Sequence, residues 1–249
     1  MFISSTLQVT LLVIHSVVFA IAIIYLITSR KRLKERILRY EQQVLLSQMN
    51  PHFVFNSLTA IQSYIFRNEP HTASKYLASF AKLTRLILEN SRCELCSLER
   101  EIATLKLYLD LQKLRFEGRF DYTIIVAEQI DPDATLIPPM LAQPLIENAI
   151  EHGLSGIYWA GKIEIRYTLT KPKQLVIEVE DNGIGIEKSR EVQESKGKQY
   201  RSLATEITKE RIKNLKKFGN SGIKLNITDK STLSGNTSGT IAQIVIPLK

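Results

Sequence analysis

The sequence predicts an α+β chain in three parts: an N-terminal transmembrane helix within residues 1–29, helices including a hairpin over 30–118, and an α/β sandwich over 119–249. Three observations predict it. A charge-free apolar run opens the chain; apolar residues then return at helical spacing; and from Arg119 alternating segments mix with helical ones without strict βαβ order. With 249 residues, the chain is long enough to bury a real core.

No Lys, Arg, Asp or Glu occurs from Met1 to Ser29. Within that run Thr6 to Thr28, TLQVTLLVIHSVVFAIAIIYLIT, is long enough as a helix to cross about 30 Å of hydrocarbon. The next ten residues, RKRLKERILR, hold six basic side chains and one acid, so five of the eight net positive charges sit there. Basic residues after the span and none before it predict the N-terminus outside and the rest in the cytoplasm, with the basic block against membrane lipid. A cleaved signal peptide has the opposite order, with its basic residues first. Because the basic excess is local, the chain as a whole does not offer a surface for direct nucleic-acid binding. His15, mid-span, reads either as a neutral imidazole packed on a partner helix or as a sensor.

Arg30 to about Arg67 reads as one long helix, with Leu45, Met49, Phe53, Leu58, Ile61 and Ile65 near helical spacing. Pro51 interrupts it beside His52, a side chain that titrates near neutrality, although an interior proline costs about 3 kcal/mol. RNEPHTAS ends this helix. A second follows to about Asn90, and two helices with one apolar stripe each close a core only by pairing with a second copy as a four-helix bundle. SLEREIATLKLYLDLQKLRF opens with Ser97 as an N-cap and an acidic first turn, and runs as a third helix. Between the helices lies CELC; without a second such pair or a preceding strand it reads as two ordinary reduced thiols, Cys93 and Cys96.

In the C-terminal part DYTIIVAE, KIEIRYTL and QLVIEVED alternate as strands do. IPPMLAQPLIENAIEHGL reads as a helix stopped at Gly153. A polar stretch runs from Glu187 to Arg201. ATEITKERIKNLKKFG is helical, and GIKLNITD and GTIAQIVIPL close the chain as strands.

Three constellations are candidates for chemistry. On the helix before Gly153, Leu141, Leu145, Asn148 and His152 share a face at helical spacing, with Glu147 and Glu151 beside it. The Asn148 amide oxygen suits Mg²⁺, a hard cation; the alternative is a solvated helix end. DNGIGI, Asp181 to Ile186, reads either as a hairpin turn or as a loop whose glycines admit a flat ligand, with Asp181 accepting from an exocyclic amine. No G-x-x-x-x-G-K-[ST] loop is present, so any nucleotide is held by other means. His52 itself reads as a surface histidine in a kinked helix or as a nucleophile able to form a phosphoramidate.

In that order and spacing, NPHFVFN, SLEREIATLKLYLDLQKLRF, IPPMLAQPLIENAIEHG and DNGIGI resemble the LytS/YehU-type sensor histidine kinases, over about Leu45 to the end. The resemblance implies a dimerising helical hairpin carrying the phosphoacceptor, then an ATP-binding domain of the gyrase, Hsp90, histidine kinase and MutL type. His52 matches the phosphoacceptor. Asn148 matches the Mg²⁺-binding asparagine, with Glu147 as the acid–base or polarising group. Asp181 matches the aspartate that bonds adenine, Gly183 and Gly185 the glycines of the base pocket, and His152 a position near the phosphates. Glu187–Arg201 looks like the lid over ATP.

The implied function is a membrane sensor histidine kinase of a two-component system, single-pass in the bacterial cytoplasmic membrane. It would use ATP and Mg²⁺, act as a homodimer, phosphorylate itself on His52 and pass the phosphoryl to an aspartate of a response regulator, one of LytTR type. Only about five residues precede the span, so the stimulus is read within the membrane, through a membrane or extracellular sensor partner, or by a segment missing from this chain.

Two departures stand out. Where the family carries G-x-G-L-x-N, this chain has SLATEITKERI, with Ser202, Ala204 and Ile207 at the marked positions and Lys209 or Arg211 to supply charge. The alternative function is therefore a catalytically impaired signalling scaffold. Phe53 rather than an acid follows His52, so a base must come from elsewhere, with Glu147 the candidate.

Overall fold

The structure, a computed structural model, describes residues 25, 28–31, 51–90, 93–154, 157–171, 173–195, 222–233 and 237–248. The chain divides into two compact units, Met1–Asn50 and Pro51–Lys249. In the first unit the described residues are helical. The predicted span Thr6–Thr28 lies almost wholly outside the described residues, as do residues 32–50, so the expected bend of a long helix at Pro51 lies outside them too. Among the described residues no helix is long and apolar enough to cross a membrane.

The second unit runs α1 (Pro51–Phe66), α2 (Pro70–Asn90), β1 (Cys96–Ser97), α3 (Leu98–Arg115), β2 (Phe120–Val126), β3 (Leu136–Ile137), α4 (Gln143–Asn148) continuing as a π-helical turn (Ala149–Gly153), β4 (Gly161–Lys171), β5 (Gln174–Asp181), α5 (Ile186–Ser195), β6 (Lys224–Asp229) with a 3-10 turn (Lys230–Thr232), and β7 (Thr240–Pro247). Helices α1 and α2 form the expected hairpin. The chain reverses at Asn68, whose φ of 61° suits a residue that tolerates the left-handed region. Aromatic rings hold the pair, Phe53 to Phe80 at 6.0 Å and Tyr64 to Tyr76 at 6.2 Å. Helix α3 joins them. Phe53 lies 5.1 Å from the Tyr108 ring, and the Tyr64 hydroxyl donates to the Leu114 carbonyl at 2.9 Å.

Ser97 caps α3 as its sequence predicts, accepting from the Arg100 amide at 3.3 Å, with Glu99 and Glu101 in the first turn. Capping of this kind contributes about 1 kcal/mol. Strand β1 pairs antiparallel with β3. Both cysteines are free; burial, then the Glu101 charge, pushes the Cys96 thiol up to about 12, which makes it an inert thiol.

The main sheet has the order β2-β4-β5-β7-β6. Among the described strands only β2 and β4 are parallel, and a parallel pair requires a crossover, which α4 provides. Alternation does the rest. Ile163, Ile165, Tyr167, Leu175, Ile177, Val179, Ala242, Ile244 and Ile246 face inward and are buried, as are Ile102, Leu105, Leu109, Leu145 and Ile146 of the helices. Each fully buried aliphatic side chain contributes about 1.5–3 kcal/mol. The other face carries Arg166 ion-paired with Glu164, Glu178 and Glu180, and Lys230 on Glu180. This is the α+β layering that the alternating segments predict.

Two elements differ from their sequence reading. The helix expected over IPPMLAQPLIENAIEHGL begins only at Gln143, because Leu136–Ile137 pair with β1 and the chain then turns at Met140, whose φ of 60° cannot continue a helix. The polar stretch from Glu187, expected as a lid, begins inside helix α5. Residues 196–221 lie outside the described part of the chain.

Candidate functional site

Asp181 ends β5 on its buried side, two residues past Val179, so strand alternation delivers a carboxylate to the edge of the core. It is 4% exposed. Its Oδ1 accepts from the Gly183 amide at 2.8 Å and the Thr240 amide at 3.2 Å. Burial nonetheless raises the carboxyl to about 6, against those amides and the Lys230 charge. A buried carboxyl poised near neutrality is a candidate functional group.

The DNGIGI loop leads into α5 and not into a second strand, which sets aside the hairpin-turn reading. Its glycines have reasons within the protein. A Cβ on Gly183 would sit 2.1 Å from the Gly153 carbonyl oxygen, and the Ile184 amide donates to that same oxygen at 3.0 Å. The loop thus lies directly on the end of the π turn. Gly185 has φ +83°, and its Cβ would meet Asp229 Oδ2 at 2.8 Å. Asn182 fastens the neighbouring loop. It accepts from the Lys162 amide at 2.6 Å, donates to the Ala160 carbonyl at 2.9 Å, and its own carbonyl takes the Trp159 indole N–H at 2.8 Å.

Glu147 and Asn148 stand half-buried at the end of α4, where the Gln143 amide donates to Glu147 Oε1 at 3.0 Å. The next turn is wider than an α-helix, with the Leu154 amide bonding the Ala149 carbonyl at 2.8 Å. The π winding was not part of the sequence reading. His152 stays within a turn of the Asn148 face, since four residues of a π turn complete nearly one full rotation. Turns of this kind occur frequently at functional sites. Within it Glu151 pairs with Arg115 at 2.7 Å, and Arg115 lies 4.6 Å over the Phe116 ring.

A line of contacts runs from here to the start of α1. Arg115 donates to Gln112 Oε1 at 3.1 Å, and Gln112 Nε2 donates to the Tyr108 hydroxyl at 2.8 Å. Tyr108 is fully buried, and burial, then the Glu147 charge, holds its phenol well above the usual range. Its ring packs on Phe53, the residue after His52. Phe53 is 5% exposed between Phe80 and Tyr108, so an apolar side chain at that position has a packing role. His52 lies in the first turn of α1; its side chain, like those of Lys209 and Arg211, lies outside the described part of the chain, as do Ser202, Ala204 and Ile207.

Sequence reading missed three residues at this site. Thr240 and Gly239 close over Asp181 from β7; a Cβ on Gly239 would meet the Asp181 carbonyl at 2.1 Å. Asp229 receives the Ile186 amide at 2.6 Å, the Glu187 amide at 3.3 Å, and the Ser231 amide and hydroxyl at 2.9 and 2.7 Å. Burial opposes ionisation there, but these donors, the Ser231 hydroxyl first, hold the carboxyl below its usual range. The D-K-S pattern at the end of a strand was a legible capping signal for Ser231, though not for α5.

Among the described residues no three His, Cys, Asp or Glu side chains cluster as a metal site. Glu147 and Asn148 carry side-chain oxygens, the donor type that hard cations take.

Residues 40–120 match the family described as histidine kinase, and residues 140–249 the family described as histidine kinase-, DNA gyrase B- and HSP90-like ATPase. The sensor protein LytS of Bacillus cereus is 31% identical over 150 residues, 60% of this chain and 25% of that protein. The sensor histidine kinase/phosphatase LytS of Staphylococcus aureus is 31% identical over 163 residues, 66% of this chain and 27% of that one. The chain thus spans about a quarter of the length of these curated relatives. The histidine kinase domain of a blue-light activated kinase from Erythrobacter litoralis aligns over 68% of this chain and 75% of its own at 21% identity, with a TM-score of 0.44.

Proposed function

We propose, from the premise that this chain is a relative of the LytS-type sensor histidine kinases with a histidine kinase segment ahead of an ATPase domain, that it is an ATP-dependent protein histidine kinase of a two-component system. The observation that carries the nucleotide half is Asp181. Its Oδ1 is already committed to two backbone amides, and the ionised group keeps acceptor capacity for an exocyclic amine such as that of adenine. Asn148 would supply an oxygen to Mg²⁺ and Glu147 would polarise the attacking group, while Mg²⁺ when bound neutralises charge on the phosphates. His152, on the same turn, lies near the phosphates in this reading, and Lys209 and Arg211 add positive charge.

His52 is the phosphoacceptor in this account. A neutral imidazole is a nucleophile at neutral pH, and the phosphoramidate it forms passes readily to a carboxylate. Phe53 on Tyr108 ties the start of α1 to the helix that also faces Glu147, which supports a short path between acceptor and ATP site. Catalysis then rests mostly on positioning.

The wider reading follows the same premise. Phe55, Leu58, Ile65 and Phe66 on α1 and Leu77 and Leu88 on α2 are exposed, an apolar face suited to a second copy and hence to a homodimer. The phosphoryl would pass to a response regulator, of LytTR type, and the Thr6–Thr28 span would anchor the protein with its N-terminus outside. The domain bounds 1–29, 30–118 and 119–249 belong to this reading. The altered SLATEITKERI stretch favours a second one, a scaffold that binds nucleotide without phosphorylating itself. Incubation of the purified full chain with γ-labelled ATP and Mg²⁺ separates the two. An acid-labile, alkali-stable label lost in His52→Gln is expected of the kinase; nucleotide binding without any label would point to the scaffold.

A further inference from the structure

Glu101 is a carboxylate in the core, 0% exposed, in the first turn of α3. Acidic side chains are almost never buried so completely unless something holds them there. Its Oε2 accepts from the Met140 amide at 2.7 Å, over a separation of 39 residues. Met140 is itself unusual. Its φ of 60° places an ordinary side chain in the left-handed region, and it is 2% exposed, so neither its backbone nor its side chain is free to relax.

The location of this turn matters. Met140 leads through Leu141 and Ala142 straight into α4, and α4 has no side-chain cap of its own. What fixes the approach to the helix that carries Glu147 and Asn148 is thus a buried hydrogen bond from another helix. One turn on, Thr104 takes the Asn90 amide at 3.1 Å in a buried bond, and Arg100 pairs with Glu89 at 3.1 Å, so α3 is fastened at this level to the end of α2.

We propose that Glu101 is a positioning residue of the nucleotide site: through the Met140 amide it holds the left-handed turn that sets α4, and with it Glu147 and Asn148, relative to the helical hairpin. This rests on the ATP-binding reading above. Glu101 touches no reacting atom. It acts through the backbone of residue 140, at the junction where a displacement of α2 would reach the ATP site.

The test compares the full chain with Glu101→Gln, which keeps an acceptor oxygen, Glu101→Leu, which removes it, and Glu101→Asp, which keeps the carboxyl group but withdraws it by one methylene. Each is held well below its own melting temperature, so that only folded protein is measured, and titrated with trinitrophenyl-ATP in Mg²⁺. Affinity within about threefold of wild type is expected for Glu101→Gln, and loss of about tenfold or more for Glu101→Leu and Glu101→Asp. Hydrogen exchange at the Met140 amide should be slow in wild type and Glu101→Gln and fast in the other two. Wild-type affinity in a folded Glu101→Asp or Glu101→Leu, or an equal loss in Glu101→Gln, overturns the proposal. A wild-type chain that binds no nucleotide overturns the ATP-binding reading beneath it.

Discussion

Replacing Asp181 with asparagine should make the protein more stable and at the same time weaken its hold on ATP. Burial raises this carboxyl from its usual 3.8 to about 6. Between those values the folded state keeps a proton that the unfolded state has released, so its contribution to stability falls as pH rises through that window. Above it, the buried charge costs about 3 kcal/mol, from roughly two pKa units at about 1.4 kcal/mol each. Asparagine retains an oxygen for the Gly183 and Thr240 amides and never ionises. The variant should therefore match wild type near pH 4 and exceed it by up to about 3 kcal/mol above pH 7. Urea unfolding at a series of pH values, followed through the chain's one tryptophan, Trp159, reads this directly. ATP affinity should move the other way. The variant turns an N–H₂ group toward an amine donor and loses about tenfold or more, while wild type should bind less tightly as pH falls below about 6. A variant less stable than wild type at pH 8, or one that binds ATP as wild type does, refutes the reasoning.

Other changes test the packing around that carboxylate. Gly183→Ala brings a methyl to within 2.1 Å of the Gly153 carbonyl and should cost about 1–3 kcal/mol or more in chemical unfolding, with ATP binding weakened in the folded fraction. Asp229→Ala strips acceptors from the Ile186, Glu187 and Ser231 amides and should cost about 1–3 kcal/mol, with hydrogen exchange faster at the start of α5; Asp229→Asn should recover part of both. The half-buried Arg115–Glu151 pair should show a coupling of about 1 kcal/mol in a double-mutant cycle, diminishing in high salt.

Much of this was legible in the sequence because it is local. Ser97 before an acidic first turn announced α3, and alternation in KIEIRYTL and QLVIEVED fixed which residues of β4 and β5 are buried. The parity that buries Val179 also buries Asp181. What was hidden depends on partners far along the chain. Asp229 reaches the Ile186 amide across 43 residues and Thr240 reaches Asp181 across 59, distances over which no motif in one sequence speaks. Glu101 looked like an ordinary first-turn acid on a half-exposed helix, and only its contact with Met140 makes it a core residue. The π turn escaped for a different reason. Its residues fit an α-helical pattern equally well, and the wider winding brings Gly153 against the DNGIGI loop, so tertiary packing settled the choice.

The central claim is that the phosphoryl group of ATP comes to rest on His52. Proteolysis at neutral to alkaline pH after a short incubation with ATP and Mg²⁺, followed by fragment mass spectrometry, locates it. The account predicts one phosphoryl group on the peptide that holds NPHFVFN, placed on the imidazole and absent when Asn148 is replaced by alanine. Phosphate released steadily with that peptide unmodified, or a phosphoryl group found on another residue, would contradict it.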